Sequence, residues 1–182
     1  MNIRPTTKDD FAAIADLLND QIMNGFAHFG TVQTDANEIE QSWSPHADTH
    51  PWLTAVDDEG NFLGFVKSSP WSPRGGYRWT VEVSVYLVSH ARGRGIGRAL
   101  YDELFRILKL QGYVVVYAGV SLPNEASNRL HRAIGMTPFG DVTPSGFKQG
   151  KWIDVRYYQM HLVDPASVTP PMPVQPIASV YP

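Results

Sequence analysis

Two side chains and one glycine-rich turn in this sequence are of the type and placement that chemistry needs. Glu82 stands in Trp79-Thr80-Val81-Glu82-Val83-Ser84-Val85. It is a carboxylate among apolar neighbours, where desolvation would raise its pKa toward the range of a working general base. His131 ends Asn124-Glu125-Ala126-Ser127-Asn128-Arg129-Leu130-His131, and histidine can serve as acid or base near neutral pH. Between the two lies Arg92-Gly93-Arg94-Gly95-Ile96-Gly97. Glycines at every second position allow a tight turn and a close backbone approach. The free N–H groups that open the following helix favour an anion, and two arginines add charge. The turn reads as a pyrophosphate cradle. It is not a Walker A loop, because no Gly-Lys-Ser/Thr follows, and it is a poor Rossmann fingerprint. Plainer roles exist for each feature: a solvent-facing strand glutamate, a helix-surface histidine, and a glycine-rich lead-in with no ligand.

The elements around these residues are legible. Val81, Val83 and Val85 alternate with Glu82, Ser84 and Tyr86, a strand pattern. Ile96, Leu100, Leu104, Ile107 and Leu108 form one helical stripe after the glycines, and that helix should end near Gly112. Earlier, residues 1–4 suggest a short strand. Thr7 with Asp9 and Asp10 opens a helix bearing Phe11, Ile14, Leu17 and Ile22, and Asn24-Gly25 ends it. Residues 26–34 read as irregular. Asp35 caps a second helix with Ile39 and Trp43 on its apolar face. Residues 51–56 and 62–66 form a hairpin about Asp58-Glu59-Gly60-Asn61.

Residues 114–120 are nearly all apolar, as a strand buried on both faces should be. Asn124 caps a further helix whose expected apolar face is Leu130, Ala133 and Ile134, with Gly135 closing it. Late strands fall in 136–142 and 147–162. From Asp164 prolines recur, which predicts an extended tail outside the core. The expected fold class is mixed α/β, a twisted mixed sheet with helices on both faces. The division is one domain over 1–164 and a proline-rich tail over 165–182.

Composition narrows the function. A net charge of −3 gives no electrostatic case for nucleic acid or an anionic membrane. The chain has no cysteine, which removes disulfides, thiolate metal sites and a cysteine nucleophile, and fits a reducing cytoplasm. No apolar run is long enough to span a bilayer, and no signal-peptide core opens the chain. No metal is expected.

The strand followed by Arg-x-x-Gly-x-Gly resembles the acetyl-CoA loop of the GNAT acetyltransferases. The likeness extends to Pro51-Trp52-Leu53, Pro70-Trp71, Tyr77-x-Trp79-Thr80-Val81-Glu82, Ser84-Val85-Tyr86, Gly95-Ile96-Gly97, Leu130-His131, Gly146-x-Lys148 and Trp152-x-Asp154-Val155. Over about residues 2–162 the sequence is similar to the phosphinothricin N-acetyltransferase branch. That resemblance implies acetyl transfer from acetyl-CoA to the α-amine of a glutamate-like compound such as phosphinothricin or methionine sulfoximine, in a homodimer. It places the general base at Glu82. Most of the superfamily has a tyrosine where His131 stands, and this branch has the histidine.

The remaining expectations follow from these. The backbone of Val85, Tyr86 and Leu87 should pair with the pantetheine arm as a strand would. A backbone N–H there can stabilise an oxyanion. Arg92, Gly93, Arg94, Gly95, Ile96, Gly97 and Arg98 should hold the pyrophosphate, with Asn124 and Ser127 near the pantetheine. Tyr101 would reach the cofactor or merely pack. Arg74 suits a substrate carboxylate, and Phe29, Tyr77, Lys148 and Trp152 could wall the acceptor pocket. Ser72 stands where relatives are often basic, and the 26–33 loop carries fewer charges than theirs. Other readings are an acetyltransferase for another small amine or amino acid, an idle acyl-CoA-binding module, or an interaction protein built on the tail. A protein-lysine substrate fits poorly, because the early loop has no acidic groove pattern.

Overall fold

The computed structural model describes residues 1–181. Seven strands form one sheet: β1 (Asn2–Pro5), β2 (Trp52–Val56), β3 (Phe62–Pro70), β4 (Thr80–Leu87), β5 (Val115–Leu122), β6 (Thr137–Lys148) and β7 (Lys151–His161). Their order is β1-β2-β3-β4-β5-β7-β6. Only β4 and β5 run parallel; every other pair is antiparallel.

Helices cover both faces. On one lie α1 (Phe11–Asn24) and α2 (Ala36–Trp43), packed through Phe11, Ile14, Leu18 and Ile39 against Trp52 and Phe65. Asp35 caps α2, accepting from the N–H groups of Asn37 and Glu38. On the other face α3 (Ile96–Gln111) buries the predicted stripe, Ile96, Leu100, Leu104, Ile107 and Leu108, against Val81, Val83 and Val116. Gly95 and Gly112 bound α3 in the left-handed conformation, which glycine adopts without a Cβ penalty.

Three expectations need correction. On α4 (Glu125–Ala133) Leu130 and the following Ile134 pack on the main cluster as expected, but the fully buried side chains are the polar Asn128 and His131, and Ala133 is exposed. Tyr158 compensates: its hydroxyl donates to Asn128 Oδ1 at 2.8 Å and its ring stacks on His131. β6 and β7 are one long hairpin, reversed at Gln149 (φ 49°) and Gly150 (φ 76°). The tail is not outside the core. It folds back along α3, and Val174, Val180 and Tyr181 pack on the main apolar cluster. Gln175 N–H donates to Gln111 O, Ile177 N–H to Asp48 O, and Trp79 Nε1 to Met172 O. Its carbonyls and N–H groups find partners on three separate elements, which a free polyproline segment would leave to water. Among the described residues no helix is long and apolar enough to cross a membrane.

Candidate active site

The site begins where the sheet comes apart. β4 and β5 pair at Thr80↔Val115, Val81↔Val116 and Glu82↔Tyr117. Beyond Glu82 both strands continue, but the ladder stops. Val83 to Leu87 form one arm of a fork and 118–122 the other. Main-chain groups on the facing edges of the two arms lack each other as partners, so an extended ligand with amide groups can pair there.

A cleft of about 480 Å³ opens on the α3/α4 side of this fork. Its walls include Val83 to Leu87, Gly119 to Ser121, Arg92, Gly93, Gly95 to Arg98, Tyr101, Asn124, Ser127 and His131. Gly93 and Gly95 have φ of 73° and 80°, and no protein atom lies within 4 Å of where a Cβ would stand on either. The turn is thus open toward the cleft, as a phosphate cradle must be. Gly97 serves differently. A Cβ there would come within 3.2 Å of Leu130 Cδ2, so this glycine lets α3 and α4 approach. The Arg92 side chain donates to Leu87 O at 3.2 Å, and Arg98 pairs with Asp102. Arg94 is exposed and is not a wall of the cleft. Asn124 caps α4 by accepting from Ser127 N–H at 3.1 Å, and its side chain also reaches the cleft wall.

A second cavity, of about 380 Å³, lies on the α1/α2 side. Glu82, Ser84, Tyr86, His28, Phe29, Ser145, Gly146 and Tyr157 line it. The two cavities share Ala27, Ser84, Tyr86, Gly119 and Ser121, so they meet at the fork. Glu82 lines the second cavity, at the last rung of the ladder before the fork. Burial pushes its carboxyl pKa up, and Lys67 partly offsets the rise. Lys67 faces Ser84 on the neighbouring strand, diagonal to Glu82 on the same face. Burial lowers the Lys67 pKa in turn.

His131 is buried, with 3 % of its surface exposed. Its Nδ1 lies 2.8 Å from Ser127 O, a carbonyl that can only accept, so Nδ1 carries a proton. Nε2 then accepts from the Tyr101 hydroxyl at 3.2 Å. Burial depresses the His131 pKa, which keeps the ring neutral at pH 7. Burial holds the Tyr101 hydroxyl well above the ordinary tyrosine range and moves that of Tyr86 up to about 12.

Four residues expected around the acceptor are elsewhere. Lys148 is 2 % exposed, and its ammonium donates to the carbonyls of Gln21, Gly25 and His28 at 2.8, 2.7 and 2.6 Å. All three of its N–H bonds are used within the fold, so it has none for a substrate. Trp152 is 63 % exposed and packs on Phe147 at the far end of the hairpin. Arg74 and Tyr77 lie on an exposed loop and do not line either cavity. Phe29 does line the second one. Sequence reasoning missed His28, Lys67, Ser121, Ser145 and Tyr157. The one usable signal was Lys67, a charge directly after the apolar run 62–66.

The residues of the first cleft fit acetyl-CoA: an open glycine turn at a helix start for pyrophosphate, and an unpaired strand arm for the pantetheine amides. Among the described residues no three His, Asp or Glu side chains gather into a metal site. A model of the Acetyltransferase (GNAT) family matches residues 13–136. The chain is 38% identical over 181 residues to a phosphinothricin N-acetyltransferase of Streptomyces viridochromogenes, covering 99% of this chain and 96% of that one. It is 34% identical to an L-methionine sulfoximine/L-methionine sulfone acetyltransferase of Pseudomonas aeruginosa, covering 93% and 98%. Among solved structures it is similar to a phosphinothricin acetyltransferase from Sinorhizobium meliloti in complex with acetyl-CoA. There the TM-score is 0.87 at 29% identity, covering 100% of this chain and 95% of that one. Sequence and fold agree, and the chain belongs to the Acetyltransferase (GNAT) family, as an enzyme that takes its acetyl group from acetyl-CoA.

Proposed function

We propose that this enzyme acetylates the α-amine of a small glutamate-like amino acid, of the phosphinothricin or methionine sulfoximine class. The observation that carries the reading is that the two cavities meet at the fork, through Ser84, Tyr86, Gly119 and Ser121, with Glu82 in the wall of the second. An acceptor in the second cavity can present its amine through the fork to a thioester lying in the first. Relatives named for these two acceptors support the class. Acetyl-CoA supplies the activated acetyl group.

The chain's own residues do the rest. At pH 7 an amino-acid amine is mostly protonated and cannot attack. Glu82, its carboxyl pKa raised by burial with Lys67 offsetting part of the rise, takes the proton directly or through a water. Gly93 and Gly95 with the start of α3 hold the pyrophosphate, and the Val85–Leu87 arm aligns the pantetheine. An N–H of that arm stabilises negative charge on the carbonyl oxygen. The departing sulfur needs a proton, and the Tyr101 hydroxyl at the cleft wall gives its own, turning from His131 Nε2 to the sulfur and regaining a proton from water when the products leave. Arg74, exposed and outside every ion pair among the described residues, lines neither cavity, and its role as partner of the acceptor carboxylate requires the loop before β4 to move toward the second one. That loop starts at Trp71, which packs on the cavity residue Tyr157.

The reading includes a homodimer. Phe139, Val142, Phe147 and Trp152 leave 46 to 63 % of their surfaces exposed along the β6–β7 hairpin, more apolar surface than a lone sheet edge usually shows. Light scattering that gives a monomer at micromolar concentration would contradict this part. A cytoplasmic location belongs to the same reading, and cell fractionation tests it.

A second reading has an observation in its favour. The walls of the acceptor cavity include no lysine or arginine among the described residues. That suits a neutral amino acid as well as an acidic one. An acetyl-CoA-dependent thiol-release screen over glutamate analogues, neutral amino acids and polyamines decides between them. Preference for polyamines over every amino acid would sink both.

A further inference from the structure

The Lys148 ammonium raises a question that acetyl transfer does not answer. A buried cation is costly unless it is fully hydrogen-bonded, and this one has no carboxylate partner among the described residues. Its three acceptors are carbonyls. Two belong to the end of α1, Gln21 and Gly25, where the helix dipole favours positive charge. The third is His28, which lines the acceptor cavity. Next in sequence, Gln149 Nε2 donates to Met23 O at 2.8 Å. On the same strand as Lys148, Gly146 lies under the Phe29 ring: a Cβ there would be 2.5 Å from ring carbon Cε1. Residues 146, 148 and 149 therefore grip one short segment, 21–29, from more than a hundred residues away in sequence. Ser145 and Gly146 of this hairpin also wall the cavity directly.

We propose that the tip of the β6–β7 hairpin is a latch that sets the shape of the acceptor cavity, with Lys148 as its positioning residue. The proposal rests on the second cavity being the acceptor's. Lys148 touches no substrate. It fixes the carbonyl of His28, and so the backbone that carries His28 and Phe29, while Gly146 leaves room for the Phe29 ring. Without the ammonium, the carbonyls of Gly25 and His28 lose their donor and Gln21 O keeps only the Gly25 N–H, and residues 25–30 must be re-ordered each time an acceptor binds. A competent fraction of about one tenth would raise the acceptor KM about tenfold. Of the gripped segment only Gln21 and Ala27 border the coenzyme cleft, and its pyrophosphate end, at Gly93 to Arg98, lies outside the latch.

Two variants test it, Lys148→Met and Gly146→Ala, with L-methionine sulfoximine as the acceptor. The first keeps the stem and removes the charge. The second keeps the charge and forces Phe29 to move at a backbone position alanine tolerates. Expected for Lys148→Met are faster amide hydrogen exchange in the peptide over 25–31, an acceptor KM raised about tenfold, and an unchanged acetyl-CoA KM. Gly146→Ala should change the acceptor KM and not that of acetyl-CoA. Folded Lys148→Met with wild-type exchange, or equal rises in both Michaelis constants, overturns the latch. If Lys148→Met does not fold, an unaltered acceptor KM in Gly146→Ala overturns it. A wild-type enzyme inactive on every amino acid would refute the acceptor class instead, and the exchange measurement would still decide the latch.

Discussion

Replacing Gly95 by alanine separates the cradle from the fold, because the chain carries its own control. Gly95 and Gly60 both sit in the left-handed region, at φ of 80° and 87°, and neither has a protein atom within 4 Å of its Cβ position. An alanine at either site therefore meets no clash and bears only the backbone penalty, about 1–2 kcal/mol. For a chain of this size that lowers the melting temperature by roughly 2–8 °C. The two variants should melt alike. They should not bind alike. Gly60 lies in the turn between β2 and β3, whereas Gly95 lines the cleft at the start of α3. A methyl group there occupies space meant for the pyrophosphate and tilts the N–H groups that should point at it. Hydrogen bonds to a charged group are worth about 1.5–3 kcal/mol each. Losing one weakens acetyl-CoA binding about ten- to a hundredfold. Calorimetric titration with acetyl-CoA, beside thermal unfolding without it, measures both quantities. Wild-type affinity in Gly95→Ala would refute the cradle. An equal loss in Gly60→Ala would show that destabilisation, not the cradle, causes the weakening.

Glu82→Gln should lower kcat/KM by about 10²–10⁴ and abolish the acid limb of its pH profile. Only the carboxylate accepts the amine's proton, so wild-type activity falls as pH drops through the raised pKa of Glu82. Lys67→Met removes the charge that holds this pKa down and should move the limb to higher pH; a move to lower pH contradicts the assignment. Tyr101→Phe and His131→Phe should each lower kcat by about 10², and the double variant should be no slower than the worse single one, because the two act as a pair. Multiplied losses in steady-state rates would separate their roles. Arg74→Ala should raise the KM for amino acids about ten- to a hundredfold, the worth of one charge-assisted pair, and leave that of acetyl-CoA alone. Equal losses on acceptors with and without a carboxylate would make Arg74 structural.

Local patterns made the coenzyme side of the molecule readable. The glycine turn, the stripe on α3 and the cap at Asn124 are each written within a few neighbouring residues, and each lies where its pattern places it. The second cavity is assembled from residues far apart in sequence. Lys148 reads as a pocket cation because a lone lysine after a glycine gives no sign that three carbonyls some 120 residues earlier will enclose it. His28 and Tyr157 carry no local pattern, and only the sheet order brings them to Glu82. The tail misled for a related reason. Its prolines predict local extension correctly, but not that an extended segment can still supply Val174, Val180 and Tyr181 to the core.

The fork between β4 and β5 has a consequence for how long the protein lasts. A sheet normally draws cooperativity from unbroken pairing, and this one is interrupted at its centre, between β4 and β5. An acetyl-CoA molecule lying in the gap would complete the sheet as an additional strand. Ligand present at a hundred times its dissociation constant adds about 2.7 kcal/mol to the folded state, a large part of a typical domain's total stability. Chaperones and proteases act on the unfolded fraction. Acetyl-CoA should therefore protect the chain as well as feed the reaction, and limited proteolysis with and without the coenzyme measures that protection.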